Sequence, residues 1–109
     1  MANYTDIFIE QIWNKANIID GYDPDCWRQD FAGAWIKKDQ YGIQSNYGWE
    51  IDHRKPIKHG GTDEFFNLIP LHWENNRKKS DDFPICKTLV TSQGIRNVYK
   101  EKSWKIETL

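Results

Sequence analysis

Cysteine is scarce in this sequence of 109 residues, and so is any long apolar stretch. Cys26 and Cys86 lie far apart in the chain, so they cannot form a four-cysteine zinc site, and a disulfide framework is not expected. No segment approaches the roughly 20 apolar residues of a membrane-spanning helix. The first ten residues, MANYTDIFIE, lack the basic and then apolar regions of a secretory signal. We therefore expect a cytoplasmic protein with reduced thiols and no membrane partner.

Net charge is also low, at −1, which argues weakly against a general nucleic-acid binder. The charge is unevenly distributed, however. Residues 1–52 contain four Lys or Arg and nine Asp or Glu, whereas residues 53–109 contain eleven and seven. One side of the molecule could therefore hold a polyanion. Alternatively, the two signs intersperse on the folded surface, and the sequence leaves both arrangements open.

Aromatic side chains are abundant, with six Trp, five Tyr and five Phe. A chain of this length is expected to form one domain, here residues 1–109, with one modest core. A few large aromatic side chains suit such a core. The sequence contains no internal repeats and no low-complexity segments.

The pattern of apolar residues predicts an α+β domain. A helix is predicted over 5–17, because Phe8, Ile12 and Ala16 recur at a spacing of four residues and Thr5 can cap its N-terminus. Further along the chain, the sequence predicts strands at 34–37, 47–52 and 67–71, a helix at 72–79, and a C-terminal hairpin within TLVTSQGIRNV. The strands at 34–37 and 47–52 could pair as a hairpin.

The segment WEIDHRKPIKHGG, residues 49–61, places Asp52 directly before His53, where a short apolar strand leads into a basic loop. Hydrolysis of a phosphodiester needs a base that deprotonates water and positive charge that neutralises the phosphate and the leaving oxygen. An imidazole is the natural base because it titrates near neutral pH. A divalent cation held by oxygen ligands is the natural source of charge. Together with Asn67 and Asn76, the Asp-His pair supplies the residue types for this chemistry.

The pattern DH-x13-N-x8-N, with the surrounding text KHGGTDEFFNLIPLHW and NNRKKSDDFP, resembles the HNH endonuclease family and its ββα-metal fold. The resemblance covers a core motif at 47–81, about a third of the chain. Flanking text from roughly Trp27 onward resembles small bacterial stand-alone HNH proteins. The tail NNRKKSD is also similar to the HNH domain of CRISPR RNA-guided effector nucleases.

This resemblance implies a role for each residue of the pattern. His53 would be the general base, and Asp52 and Asn76 would bind one divalent cation, Mg²⁺ or alternatively Mn²⁺. Asn67 would complete the catalytic loop through hydrogen bonds that fix the geometry of the base. The implied fold is a ββα-metal (HNH) finger with an N-terminal helix and a C-terminal β-hairpin. The implied partner is DNA, and RNA stays open because base and metal act on the phosphate rather than the sugar.

The sequence departs from the family at the positions of a structural zinc. Many HNH proteins carry CxxC pairs around this motif, whereas the corresponding residues here are His72 and Asn75. No structural zinc is therefore expected, and the aromatic core would have to support the finger.

The proposed site also makes a geometric demand on the backbone. Adjacent strand residues face opposite sides. Asp52 and His53 can therefore share a cleft only if the strand ends there and the chain bends at His53–Arg54.

Among the other charged residues, Glu50 and Glu74 are predicted to be surface charges. A basic set would either contact phosphates or be solvated: Arg54, Lys55, Lys58, Arg77, Lys78 and Lys79.

Two other functions remain open on the sequence alone. The chain could be a non-catalytic nucleic-acid-binding or accessory module of a phage, restriction or mobile-element system, although a binder gains nothing from a base and two ligands held together. It could also be a toxin-type nuclease with the same chemistry. One such centre cuts one strand per encounter, so double-strand cleavage would need two successive nicks, a homodimer or larger nuclease or packaging machinery.

Overall fold

The structure, a computed structural model, describes residues 3–109. These residues form two α-helices and three small antiparallel sheets, so the predicted α+β class is confirmed. No helix in this part of the chain is both long and apolar enough to cross a membrane. The elements are, in chain order, α1 (Asp6–Trp13), β1 (Asn17–Ile18), β2 (Trp27–Gln29), β3 (Trp35–Lys37), β4 (Trp49–His53), β5 (Leu68–His72), α2 (Trp73–Lys79), β6 (Ile85–Gln93) and β7 (Arg96–Lys105).

Thr5 caps the N-terminus of helix α1, because its side chain accepts a hydrogen bond from the Phe8 amide of the first turn. Ile12 and Trp13 on its apolar face are fully buried. They form the main core with Ile36, Trp49 and Leu68. The helix is shorter than predicted because the backbone tightens after Trp13 and then enters β1. In this position, α1 packs against β5 and supports the strand pair of the candidate site.

The predicted hairpin between β3 and β4 is wrong. Instead, β3 pairs with the preceding strand β2, with Trp27 opposite Lys37 and Gln29 opposite Trp35. The reason lies in the connecting turn, where the Asp30 carboxylate accepts hydrogen bonds from two backbone amides and Gly33 has a φ of +92°. A left-handed residue of this kind favours glycine. The turn therefore fixes β2 and β3 as a local hairpin and leaves β4 free for another partner.

The central unit consists of β4, a loop, β5 and α2. The two strands pair antiparallel along their whole length, from Trp49 opposite His72 to His53 opposite Leu68. Helix α2 follows β5 without a linker, because the His72 side chain caps it by accepting a hydrogen bond from the Glu74 amide at 3.1 Å. The predicted order of strand, loop, strand and short helix is therefore present.

The predicted C-terminal hairpin is confirmed and is longer than the predicted segment. Strands β6 and β7 turn at Gly94, whose φ is +63°. A register shift between Thr88 and Val90 interrupts the pairing. Helix α2 packs on β6 at this irregularity, which joins the hairpin to the central unit.

Asn75 makes that junction specific. Its side chain is fully buried and uses both donors and both acceptor positions. The amide oxygen accepts from the Leu89 and Val90 amides at 2.8 and 2.7 Å. The amide nitrogen donates to the Val90 carbonyl and to the Asp30 carboxylate, both at 2.9 Å. Asn75 therefore pairs the backbone groups that the interrupted β6–β7 ladder releases.

Asp30 is the centre of a buried network that includes His72 and Asn75. We call it the Asp30 network: the Asp30 carboxylate with the His72 amide, the Asn75 side chain and the amides of Ala32 and Ala34. Burial raises the pKa of Asp30, and these hydrogen bonds oppose that rise. The network joins the β2–β3 turn, the end of β5 and α2 through hydrogen bonds alone.

Replacing Asn75 is expected to destabilise the protein strongly. Asn75→Leu keeps a similar volume but leaves two backbone amides and the buried Asp30 carboxylate short of partners. Each buried group left unpaired costs about 1–3 kcal/mol. Urea unfolding should show a loss of at least that size. The matched control is Asn17→Leu at an exposed position in β1, where a change of under about 0.5 kcal/mol is expected. Equal stability of the two variants would contradict this role.

Candidate functional site

A cleft of about 480 Å³ lies beside β4, between the start of the described chain and α2. It brings together His53 and Asn76, two of the four predicted site residues. Asp52 and Asn67 do not line it. We call it the His53 cleft, and its lining residues are Tyr4, Tyr41, Gly42, Glu50, Ile51, His53, Asn76 and Arg77.

His53 is the last residue of β4 and is partly exposed. Its Nε2 lies 2.6 Å from Oδ1 of Asp63, a residue of the following loop. A carboxylate only accepts hydrogen bonds, so the imidazole donates from Nε2. In that tautomer Nδ1 carries the lone pair. The geometry thus leaves Nδ1 as the nitrogen of His53 that can take up a proton. Asp63 was not among the predicted site residues, and it lies ten residues after His53 in the chain.

Asp52 lies in a different environment from His53. Its Oδ2 is 2.8 Å from the ammonium of Lys79, whose side chain is fully buried. Lys79 also donates to the His53 carbonyl at 2.8 Å. Burial raises the pKa of Asp52, and the positive charge of Lys79 opposes this rise. Asp52 is therefore held against α2 by an internal cation.

The chain does bend after His53, at Arg54 and Lys55. The bend comes too late to turn Asp52 into the His53 cleft, because β4 stays paired with β5 through His53. Adjacent residues of a paired strand face opposite sides. Asp52 accordingly faces α2, and His53 faces Asp63 and the cleft.

Asn67 closes the loop that connects β4 to β5. Only 2% of its surface is exposed. Its amide nitrogen donates to the carbonyls of Lys55 and Thr62 at 3.0 and 2.8 Å, and its oxygen accepts from the Lys55 amide at 2.9 Å. Gly61 packs so tightly against the Lys55 carbonyl that a Cβ would lie 1.8 Å from its oxygen. The loop that carries Asp63 is therefore fixed from inside.

Asn76 lies on the face of α2 that meets β4. Its amide nitrogen donates to Oε1 of Glu50 at 2.8 Å. Arg77 forms two contacts with the same carboxylate, at 2.6 and 3.1 Å. These contacts occupy the Asn76 nitrogen and both oxygens of the Glu50 carboxylate. Burial by itself would raise the pKa of Glu50. The hydrogen bonds from Arg77 and Asn76 outweigh this effect, so the pKa of Glu50 is lowered.

Two predictions about charged residues are wrong. Glu50 is not a surface charge, because its side chain is only 22% exposed and pairs with α2. Lys79 neither contacts solvent nor is free to contact phosphate, since its exposure is 0%. A signal for both existed in the sequence. Glu50 is two residues from Asp52 on a strand, and Lys79 is three residues from Asn76 on a helix, so each shares a face with a predicted ligand.

By residue type, Asp52 and Asn76 suit a hard divalent cation with few protein ligands, and of the two only Asn76 lines the His53 cleft. Asp52 and Asn76 offer carboxylate and amide oxygens, which Mg²⁺ prefers, and Mg²⁺ usually keeps several waters and substrate oxygens. Oδ2 of Asp52 is buried and lacks a partner in hydrogen-bond geometry, so its contact with Lys79 is ionic. Within residues 3–109, no three His, Cys, Asp or Glu side chains form a metal-binding group.

The fold and the site define an α+β domain in which a strand-loop-strand-helix unit carries a histidine and oxygen donors. The model of one protein family, HNH endonuclease, matches residues 25–82. The chain belongs to the HNH endonuclease family. Searches of curated proteins and of solved structures gave no match.

Proposed function

We propose that this protein is a metal-dependent endonuclease that hydrolyses DNA phosphodiester bonds. In this proposal β4, β5 and α2 are the ββα-metal finger of the family. The observation that carries the proposal is the meeting of His53, from the end of a strand, with Asn76, from a helix, in one cleft. A histidine and an amide oxygen donor in one cleft are two of the groups that metal-assisted hydrolysis of a phosphodiester requires.

His53 acts as the general base. Its Nδ1 takes a proton from the water that attacks phosphorus, while Asp63 holds the Nε2–H at 2.6 Å. The positive imidazolium that results lies beside the Asp63 carboxylate, which stabilises it. Asn67 keeps this loop closed, so the imidazole does not have to be reoriented during the reaction.

Asn76 would hold the cation, Mg²⁺ or alternatively Mn²⁺, from within the His53 cleft, and Asp52, which lies outside that cleft, would have to exchange its contact with Lys79 for the cation. When bound, the cation supplies positive charge for the phosphate and the departing 3′-oxygen. Lys79 and Glu50 tie these two ligands to the opposite element: Lys79 contacts Asp52 from α2, and Glu50 contacts Asn76 from β4. Strand and helix are therefore held in a fixed relation before any cation binds.

The proposal is tested by incubating the purified protein with supercoiled plasmid. We expect nicked circles in the presence of Mg²⁺ or Mn²⁺, and no nicking after EDTA is added. Nicked circles should precede linear DNA, because one centre cuts one strand per encounter. A parallel reaction with single-stranded RNA decides between the two nucleic acids. Binding of DNA without cleavage under both metals would overturn the proposal in favour of a non-catalytic binding module.

A further inference from the structure

Asn76 can bind a cation only through its oxygen, yet an asparagine side chain carries an oxygen and a nitrogen of almost equal size. Something must therefore decide which of the two faces the cation. In this protein the Asn76 nitrogen contacts Oε1 of Glu50 at 2.8 Å, across the interface of α2 and β4. A carboxylate has no donor, so it can pair only with the NH₂ group of the amide. Glu50 thus holds the nitrogen and turns the oxygen of Asn76 away from itself.

Glu50 is in turn held in place. Arg77, the neighbour of Asn76 on α2, contacts both oxygens of the Glu50 carboxylate at 2.6 and 3.1 Å. Such paired contacts fix the plane of the carboxylate as well as its position. Arg77 also balances the negative charge of Glu50, so the carboxylate stays ionised and remains a pure acceptor.

We propose that Glu50 is a positioning residue that presents the Asn76 oxygen to the catalytic divalent cation. This inference rests on the proposed function, since it assigns Asn76 as a ligand. It adds a residue that acts through the orientation of another side chain. Groups that orient metal ligands in this way commonly contribute 10–100-fold to metal affinity.

The test is a cycle of four proteins: wild type, Glu50→Gln, Asn76→Asp and the double variant. Mn²⁺ alone is titrated by calorimetry, without DNA. Glutamine keeps the size of Glu50 but carries its own NH₂ group, so it no longer dictates the orientation of Asn76. We expect Glu50→Gln to weaken Mn²⁺ binding by about 10–100-fold. An aspartate has oxygens on both sides and needs no orientation, so Glu50→Gln should cause no further loss in the Asn76→Asp background.

Each outcome of this cycle is decisive. A loss of equal size in both backgrounds would mean that Glu50 binds the cation directly, and it would overturn the positioning role. Unchanged Mn²⁺ affinity in Glu50→Gln would overturn it as well. Glu74→Gln, on the same helix but paired with Tyr99 instead, is the matched control and should bind Mn²⁺ like wild type. Urea unfolding of all variants shows whether each is folded.

The two proposals fail in distinguishable ways. The Mn²⁺ titration reports on positioning, whereas nicking of plasmid by the wild type reports on the proposed function. Mn²⁺ binding that depends on Glu50 in a wild-type protein that cuts no nucleic acid would leave positioning intact and overturn the nuclease. If the wild type nicks plasmid with Mn²⁺ and Glu50→Gln has unchanged Mn²⁺ affinity, the nuclease function stands and the positioning role of Glu50 is overturned.

Discussion

His53→Ala is expected to reduce plasmid nicking by about 10²–10⁴-fold, the usual contribution of a general base. The substitution removes Nδ1, the nitrogen left free when Nε2 donates to Asp63. It should leave the fold intact, because His53 is partly exposed at the end of β4 and the backbone pairing does not use its side chain. The rate of nicking is measured at saturating Mg²⁺, and DNA binding is measured separately by gel shift.

Two controls separate a chemical role from a structural one. His59→Ala changes a histidine of the same loop that stacks on Phe83 outside the His53 cleft, and it should nick like wild type. Added imidazole should restore part of the activity of His53→Ala, because a small base can occupy the space of the missing ring. Wild-type rates in His53→Ala would remove the catalytic assignment.

Lys79→Met is expected to cause a large loss of stability, of about 3–5 kcal/mol. Methionine fills much of the same volume but leaves the buried Asp52 carboxylate without its cation. Removing one partner of a buried ion pair typically costs that much. It also removes the hydrogen bond to the His53 carbonyl. Urea unfolding monitored by tryptophan fluorescence gives the free energy of unfolding. Lys78→Met is the matched control, since Lys78 is 38% exposed and pairs with Glu101 at the surface; there we expect a change of under about 1 kcal/mol.

A double variant isolates the ion pair from other effects of Lys79. In Lys79→Met combined with Asp52→Asn, no uncompensated charge remains in the interior. The double variant should therefore be more stable than the sum of the two single losses predicts, by about 1–3 kcal/mol of coupling. Strict additivity would mean that Asp52 and Lys79 do not interact energetically, and that the 2.8 Å contact is incidental.

Local patterns predicted several features well. The helix cap at Thr5, the strand ending at the Asp-His pair and the C-terminal hairpin each depend on residues close together in the chain. The pairing of β3 was mispredicted because the turn that joins it to β2 is supported partly by residues distant in the chain. The turn at Asp30 satisfies its carboxylate partly through β5 and α2, at His72 and Asn75, so its strength is not visible locally.

The candidate site residues were predicted from the resemblance of their pattern to that of the family, which requires no knowledge of which side chains meet. Their partners were missed. Glu50 was predicted to be a surface charge, and Lys79 either to contact phosphate or to be solvated, because charged residues are rarely buried unless paired. The pairs that bury them join elements far apart in sequence. Asp63 was missed because only the closed loop brings it back to His53.

By itself, the sequence determined the family and the order of strand, loop, strand and helix, and it predicted which histidine and oxygen donors form the site. Those features follow from residue type and spacing, which are properties of the chain. The tertiary structure alone decided that Asp52 faces a buried lysine, that Asp63 holds the histidine, and that Glu50 holds the asparagine. The reason is that burial and ionic pairing depend on distances between segments, and these distances are set only when α2 packs onto β4.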